Sequence, residues 1–189
     1  MSEMAIEYQR RPIRVDEYHR MEEVGIIGSE ERVELLDGEM VLKPVMNPRH
    51  AAAVTRLSHL LVHRLLDSAL VRVQLPLQLN DRSEPEPDLA IVRPDPRYYA
   101  DHHPLPSDVL LLIEVSDSSR SYDLGKKAAA YARAGIAELW IVDLIERRLY
   151  VMCDPDHERY ALTSILKPSE HCEARGLPKL AFATDDLLG

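Results

Sequence analysis

The sequence has little cysteine and no long apolar run. Its two cysteines, Cys153 and Cys172, are 19 residues apart and neither belongs to a CxxC pair, so neither a disulfide framework nor a zinc site is indicated. No stretch approaches the roughly 20 apolar residues that cross a bilayer, and the first residues contain no apolar run of signal-peptide length. These absences argue against a membrane protein and against a disulfide-rich secreted protein, and we expect a cytoplasmic one.

Basic residues are also in deficit. The sequence has 23 Lys and Arg residues and 32 Asp and Glu residues, which gives a net charge of -9. This balance argues against broad electrostatic attraction to nucleic acid. It leaves metal-dependent chemistry open, because a site that collects carboxylates for metal ions makes a protein more acidic. The remaining composition, 46% hydrophobic and 29% charged, is that of an ordinary globular protein.

The order of apolar patterns predicts an α/β fold with a mixed sheet. Helical patterns cover 15–25, 48–68 and 121–135. Strand-like runs cover 70–79, 87–92, 109–116, 138–143, 147–153 and 158–165. The dipeptide Asp37-Gly38 lies between two strand-like halves of 32–45 and favours a tight hairpin. We predict one domain over 1–189, in which helices 48–68 and 121–134 pack against the sheet.

Two carboxylates stand out in the apolar strands. Asp88 lies where a proline-hinged acidic loop enters the run 87–92, and Glu114 is the one charged residue among five aliphatic neighbours between Leu110 and Val115. Acidic residues are rarely buried unless they are paired or bind a metal. Adjacent strands lie about 4.8 Å apart, so one Mg²⁺ would fit between the two carboxylates if these strands pair.

The helix that follows Glu114 supplies a lysine. Asp123, Lys127 and Tyr131 are spaced i, i+4 and i+8, which places them on one helical face, whereas Lys126 is rotated by about 100°. An ammonium on this helix can reach back over the end of the preceding strand. We therefore predict that Lys127, rather than Lys126, belongs to the site.

Taken together, these motifs resemble a known family. The segments "EPDLAIV", "LLIEVSDSS", "DLGKKAAAY" and "AGIAELWIVD", together with "RVELLDGEMV" around Glu34 and with His50, are similar to the Uma2 family of restriction endonuclease-like proteins. The resemblance runs from about Val15 to beyond Asp143. That family is similar to the PD-(D/E)xK nuclease superfamily, whose members cut phosphodiesters with a divalent metal on an αβββαβ core.

The resemblance implies a fold, a cofactor and a set of roles. It implies that a core of about 15–145 carries an αβββαβ arrangement, with a β extension at about 146–189. It assigns Asp88 and Glu114 to the metal, with the Val115 carbonyl as a third oxygen ligand for Mg²⁺ or Mn²⁺. Ser116 stands where the superfamily motif has its lysine, so Lys127 would supply that group. Glu34 would hold a second metal or a water, and Tyr131 would donate a hydrogen bond.

Simpler interpretations stay open at this point. Asp88 could be a turn residue and Glu114 an unpaired structural acid. Asp123 and Lys127 could form a local helical salt bridge, and Glu34 suits a solvated strand as well as it suits a site. His59 and His63 are also four residues apart, but they lack a third zinc ligand at clear spacing.

Two function classes follow from these alternatives. The first is a Mg²⁺-dependent endonuclease that acts on DNA, and the second is a nuclease-fold protein without cleavage activity that serves as a binding or assembly module. Seven of the 13 prolines lie between Pro76 and Pro106, so 93–108 is an extended connection that we expect to serve a purpose. We also predict a C2 homodimer, because nucleases that cut both strands commonly use two sites.

Overall fold

The computed structural model describes residues 9–177 and 180–189. Its helical segments are α1 (Val15–Glu23), α2 (Pro48–Leu65), α3 (Arg120–Tyr122), a π-helical turn (Asp123–Lys127), α4 (Ala128–Arg133) and α5 (Thr184–Leu188). Its strands are β1 (Val33–Leu36), β2 (Glu39–Leu42), β3 (Leu70–Val73), β4 (Leu89–Val92), β5 (Val109–Ser116), β6 (Glu138–Asp143), β7 (Arg148–Asp156), β8 (Arg159–Leu166), β9 (His171–Glu173) and β10 (Ala181–Ala183). None of the described helices has the length and apolar character that crossing a membrane requires.

The central sheet has six strands in the order β3-β4-β5-β6-β7-β8. Strands β5 and β6 run parallel, and the other neighbours are antiparallel. The crossover between β5 and β6 is made by α3, the π-helical turn and α4. Read from α2 to β6, the chain follows the αβββαβ order, so the predicted α/β class with a mixed sheet flanked by helices is confirmed.

The two faces of this sheet are covered by different helices. Side chains such as Ile91, Ile113 and Trp140 lie in one apolar cluster with α2. Their neighbours along the strands, such as Ala90 and Leu112, lie in a second cluster with α4. Successive strand residues point to opposite faces. Residues 88 and 114 share the parity of Ala90 and Leu112, so their side chains start on the α4 side.

The hairpin before α2 forms as the sequence predicts. Strands β1 and β2 pair with Leu36 opposite Glu39, so Asp37 and Gly38 make the turn. Both turn residues have positive φ, 54° and 77°. Glycine adopts this conformation freely and aspartate tolerates it, which is why this dipeptide suits a two-residue hairpin turn.

Three predicted elements differ in the structure. The strand expected over 70–79 ends at Val73, because Gln74 adopts a positive φ of 50° and leaves the ladder, and Pro76 follows without an N–H. The helix expected over 121–135 is interrupted by the π-helical turn. The extension after residue 146 contains the expected strands and also α5, whose Leu187 and Leu188 lie in the α2-side core.

Candidate active site

Strand register brings Asp88 and Glu114 together. Strands β4 and β5 are antiparallel with Leu89 opposite Ile113, so the next pair outward is Asp88 and Glu114. The backbone N–H of Asp88 donates to Glu114 Oε2 at 3.2 Å. Both residues are buried, with 7% and 2% of their surface exposed. The adjacency on which the predicted site depends is therefore present.

The Asp88 carboxylate is held by three donors. Its Oδ2 atom accepts the N–H of Val115 at 2.9 Å and lies 3.0 Å from His50 Nε2, while its Oδ1 atom accepts Gln74 Nε2–H at 3.0 Å. Burial alone would raise the pKa of Asp88, but the hydrogen bonds from His50 and Gln74 outweigh it and lower that pKa. Asp88 is a buried anion within a built network, rather than a turn residue.

His50 is aimed at this carboxylate by the start of α2. Asn47 caps the helix by accepting the His50 N–H at 2.9 Å, and Pro48 occupies the first turn, where its missing N–H costs nothing. The hydrogen bond with Asp88 raises the pKa of His50, against the opposing effect of burial, and the Val115 backbone adds to the increase. The imidazole thus stands beside two of the groups predicted to hold a cation.

Glu114 is bound on its other side by a lysine and a tyrosine. Its Oε1 atom lies 2.9 Å from Lys127 Nζ and accepts the Tyr131 hydroxyl at 2.6 Å. Burial raises the pKa of Glu114 to about 7, although the Lys127 ammonium opposes the shift. Glu114 is therefore paired, and the interpretation as an unpaired structural acid is wrong.

Lys127 enters the site from the π-helical turn, whereas Lys126 does not. The N–H of Ala128 bonds to the carbonyl of Asp123, five residues back, so the turn is wider than an α-helical one. Lys127 is buried, whereas the exposed Lys126 points away and pairs with Glu39 at 3.2 Å. Lys127 faces the strand carboxylates, as predicted, but through a π turn where the sequence pattern indicated a regular α-helix.

Lys127 joins Glu34 to the cluster. Its Nζ atom lies 3.5 Å from Glu34 Oε2, which also accepts the N–H of Glu86 at 3.1 Å. Burial lowers the pKa of Lys127, but the carboxylates of Glu114 and Glu34 outweigh it and hold that pKa above its ordinary value. Glu34 is 2% exposed, so the interpretation as a solvated strand residue is wrong.

These groups line a cleft of about 280 Å³. The strand carboxylates and Lys127 form its floor, Lys43 and Glu86 pair across one side at 3.1 Å, and the segment after β2 forms its rim. Electrostatic effects are stronger among such buried charges than in bulk water.

The donor set suits a hard divalent cation. Mg²⁺ is commonly held by one or two carboxylates and completes its octahedron with water, and Asp88 and Glu114 supply the two carboxylates. The register places Pro87 opposite Val115, and proline has no N–H, so Pro87 cannot donate to the Val115 carbonyl. Within 9–177 and 180–189, no three Asp, Glu, His or Cys side chains are arranged as a ready metal cage.

Three further residues line the cleft, and the sequence did not assign them to the site. Gln74 reaches Asp88 from its left-handed backbone conformation, and Tyr122 donates to Glu34 at 3.4 Å. Asp123 accepts the hydroxyls of Ser116 at 2.6 Å and Ser119 at 2.5 Å, which ties the π turn to the end of β5. No sequence signal marked Gln74 or Tyr122, whereas the helical spacing placed Asp123 in line with Lys127 without indicating its serine partners.

The histidine pair on α2 lies elsewhere. The rings of His59 and His63 stack with their centroids 6.4 Å apart, and neither residue lines the cleft. A zinc site requires more ligands than such a pair supplies. The two histidines are stacked side chains on the surface of α2, outside the cleft.

Comparison with known proteins identifies the family. The Uma2 family model, described as "Putative restriction endonuclease", matches residues 15–185. The chain belongs to the Uma2 family. The resemblance seen in the sequence is thus confirmed over nearly the whole chain. No curated protein matches the sequence.

A solved structure resembles this Uma2 chain in fold. It is the crystal structure of a protein from Anabaena variabilis described as a "putative nuclease belonging to DUF820". The TM-score is 0.73, the match covers 94% of this chain and 98% of that one, and 16% of the residues are identical. At that identity the likeness bears on the fold alone.

Proposed function

We propose that this Uma2 chain is an endonuclease that hydrolyses DNA phosphodiester bonds with Mg²⁺ or Mn²⁺. The observation that carries the proposal is the direct opposition of Asp88 and Glu114 at a strand end that opens into a cleft, with Lys127 2.9 Å from Glu114. The family description, "Putative restriction endonuclease", supports this class of reaction.

The residues that would hold the cation are Asp88, Glu114 and the carbonyl of Val115. A divalent cation held by these residues would supply a more acidic water and positive charge to offset that of the phosphate. The hydrogen bonds from His50 and Gln74 fix the Asp88 carboxylate in one orientation. That preorganisation avoids the cost of ordering the carboxylate during the reaction.

Lys127 and its neighbours have separate roles in this proposal. The Lys127 ammonium stays charged and lies at the cleft floor, where it neutralises a phosphate oxygen or orients the attacking water. The Tyr131 hydroxyl donates a hydrogen bond to Glu114 and helps to hold that carboxylate in place. Glu34 fixes the position of Lys127 and accepts a hydrogen bond from Tyr122, and it would hold a second metal or a water.

A cleavage assay tests this proposal. Supercoiled, linear and branched DNA are incubated with wild type, with Asp88→Ala and with the exposed control Asp101→Ala, in Mg²⁺, in Mn²⁺ and in EDTA. We expect metal-dependent cleavage by wild type and by the control, and loss of it in Asp88→Ala and in EDTA. Cleavage that survives both Asp88→Ala and EDTA would contradict the proposed site.

The alternative of a nuclease-fold module without cleavage activity makes the opposite prediction. Such a module binds DNA or a protein and cleaves nothing in any metal. The intact carboxylate pair and its buried lysine favour the enzyme, because buried charges without a use are costly to keep.

Assembly as a C2 homodimer belongs to the proposal as well, since two sites allow both strands of a duplex to be cut. Light scattering at micromolar concentration is expected to give twice the chain mass. A monomer at that concentration would contradict the dimer without affecting the proposed chemistry.

A further inference from the structure

The rim of the cleft is apolar, although its floor is charged. Leu42 is 71% exposed and Val45 is 92% exposed, and both line the same opening as the buried carboxylates. Apolar side chains offer no hydrogen bond to a phosphate. They do offer contact to the face of a base or to a sugar, which is how apolar side chains act when proteins separate or unstack bases.

A positively charged side chain, Arg32, lies beside this apolar rim. Arg32 lines the cleft, and its guanidinium donates to the carbonyl of Pro44 at 3.5 Å. It makes no salt bridge within the described part of the chain, whereas nearby Lys43 is paired with Glu86. A guanidinium in this position complements a phosphate of a strand that enters the cleft.

The reacting groups are recessed below the rim. Asp88, Glu114 and Lys127 are 2–7% exposed, in a cleft of about 280 Å³. A phosphodiester reaches them only if its strand bends into the opening. A stacked duplex resists such a local bend, whereas an unpaired strand bends without breaking base pairs.

The charge of the whole chain points the same way. B-DNA carries one negative charge per about 1.7 Å of its axis, and a single strand carries one per about 3.4 Å. A protein of net charge -9 repels the duplex more than it repels the single strand.

We infer that the cleft takes DNA that is unpaired at the scissile phosphate, with a base against Leu42 and Val45 and a neighbouring phosphate on Arg32. The inference rests on the proposed nuclease function and specifies its substrate. An unpaired strand needs one site for each cut, so the inference does not depend on the dimer.

Binding measured without cleavage tests the inference. The probes are a fluorescent mixed-sequence DNA strand, the same strand annealed into a blunt duplex, and an RNA strand of the same sequence, each titrated with protein in EDTA and followed by anisotropy. We expect the DNA strand to bind at least about tenfold more tightly than the duplex, which is about 1.4 kcal/mol.

Rim variants locate the binding. Leu42→Ser combined with Val45→Ser is expected to weaken single-strand binding by about tenfold, because it removes the apolar contact to one base. Separately, Arg32→Ala is expected to weaken it by about tenfold, because it removes a charge-assisted contact to a phosphate. The matched control is Ile26→Ser with Leu66→Ser, whose side chains are 69% and 75% exposed and do not line the cleft. The control should bind like wild type, and melting curves should show that all variants are folded.

The outcomes separate this inference from the proposed function. Equal or tighter binding of the duplex, preference for RNA, or unchanged binding by the rim variants would overturn the inference. Cleavage in Mg²⁺ that is as fast on a blunt duplex as on a single strand would overturn it too, while supporting a nuclease. Tight binding of the DNA strand at the rim without cleavage in any metal would support the single-strand binding surface and overturn the nuclease.

Discussion

Two buried glutamates on neighbouring parallel strands have opposite surroundings. Glu114 lies near the carboxyl end of β5 and Glu138 at the start of β6, and each is 2% exposed. Glu138 accepts Trp140 Nε1–H and the Arg175 N–H, both at 2.7 Å. Glu114 faces a second carboxylate and a buried ammonium at the edge of a cleft.

The comparison shows that burial of an acid does not by itself indicate a functional site. Burial raises the pKa of both carboxyls. At Glu138 the backbone of Arg175 and the indole of Trp140 satisfy the carboxylate locally, so it closes a hydrogen-bond network in the core. At Glu114 the partners are themselves ionisable and open to the cleft, at the strand end where ligands bind in parallel sheets.

The largest expected effect comes from removing the lysine partner of Glu114. Lys127→Ala leaves Glu114 and Glu34 buried without their cation, which is expected to cost about 3 kcal/mol of unfolding free energy and to reduce cleavage by at least about 100-fold. Urea unfolding and a cleavage assay measure the two effects.

The matched control for that variant is Lys126→Ala. Lys126 is exposed, and its ion pair with Glu39 contributes little. We expect nearly unchanged stability and cleavage. Equal losses of cleavage in both variants would show that the lysine of the site is wrongly assigned.

The pH dependence of stability sharpens the comparison next. The pKa of Glu114 is about 7 in the folded protein and near 4.5 when it is unfolded, so between these values the folded state binds more protons. The unfolding free energy of the wild type therefore falls as pH rises from about 5 to 7, and this contribution levels off above that range. Glu114→Gln has no carboxyl group to titrate at this position, so its unfolding free energy does not fall in this way. The difference between the unfolding free energy of the variant and that of wild type should therefore increase by roughly 3 kcal/mol from pH 5 to pH 8.

Urea unfolding at several pH values measures this difference. Glu138→Gln should change the pH dependence in the same direction and by less, because hydrogen bonds from Trp140 and Arg175 oppose the rise in the pKa of Glu138. Parallel curves for wild type and Glu114→Gln across this range would show that Glu114 is not the titrating group.

The next effect, slightly smaller than the pH effect, is the stabilisation of the folded protein by a bound metal, which should depend on the Glu114 region and not on Glu138. A cation that binds the folded state stabilises it by about 2–3 kcal/mol at roughly 100 times its dissociation constant. In melting curves at pH 8, Mn²⁺ should stabilise wild type and Glu138→Gln. Asp88→Asn should lose the Mn²⁺ effect, and without metal it should be less stable than wild type, because its NH₂ group faces one of the donors that the Asp88 carboxylate accepts. A full metal shift in Asp88→Asn would place the cation elsewhere.

Much of this arrangement follows from sequence patterns. Short apolar runs predict β4, β5 and β6, because strands covered on both faces have nearly continuous hydrophobic sequences. A lone acid in such a run marks Glu114, and the expected adjacency of two strands brings Asp88 to it. The dipeptide Asp37-Gly38 predicts the hairpin through its backbone preference, independently of tertiary contacts.

Other features depend on tertiary contacts that no local pattern encodes. The π turn begins at Asp123, whose carboxylate accepts the Ser116 and Ser119 hydroxyls, while the local sequence suits an α-helix equally well. Gln74 takes a left-handed conformation, which is uncommon for glutamine, and is held there by hydrogen bonds to Asp88. Glu138 stands at the start of an apolar run and Glu114 stands within one, so the sequence alone does not separate their roles. Only the fold shows that Glu138 accepts hydrogen bonds from neutral N–H groups.

The smallest expected effect concerns Glu138 itself. Glu138→Gln keeps one carbonyl oxygen for the indole N–H of Trp140 but turns an NH₂ group toward the Arg175 N–H, so one hydrogen bond is lost while a buried charge is relieved. We expect the unfolding free energy at pH 7 to fall by about 1 kcal/mol, with cleavage and metal response unchanged. Urea unfolding, a cleavage assay and a melting curve with Mn²⁺ on the same preparation measure all three. A large loss of cleavage in Glu138→Gln would contradict the conclusion that Glu138 is structural. It would mean that cleavage depends on an acid whose partners all lie away from the cleft.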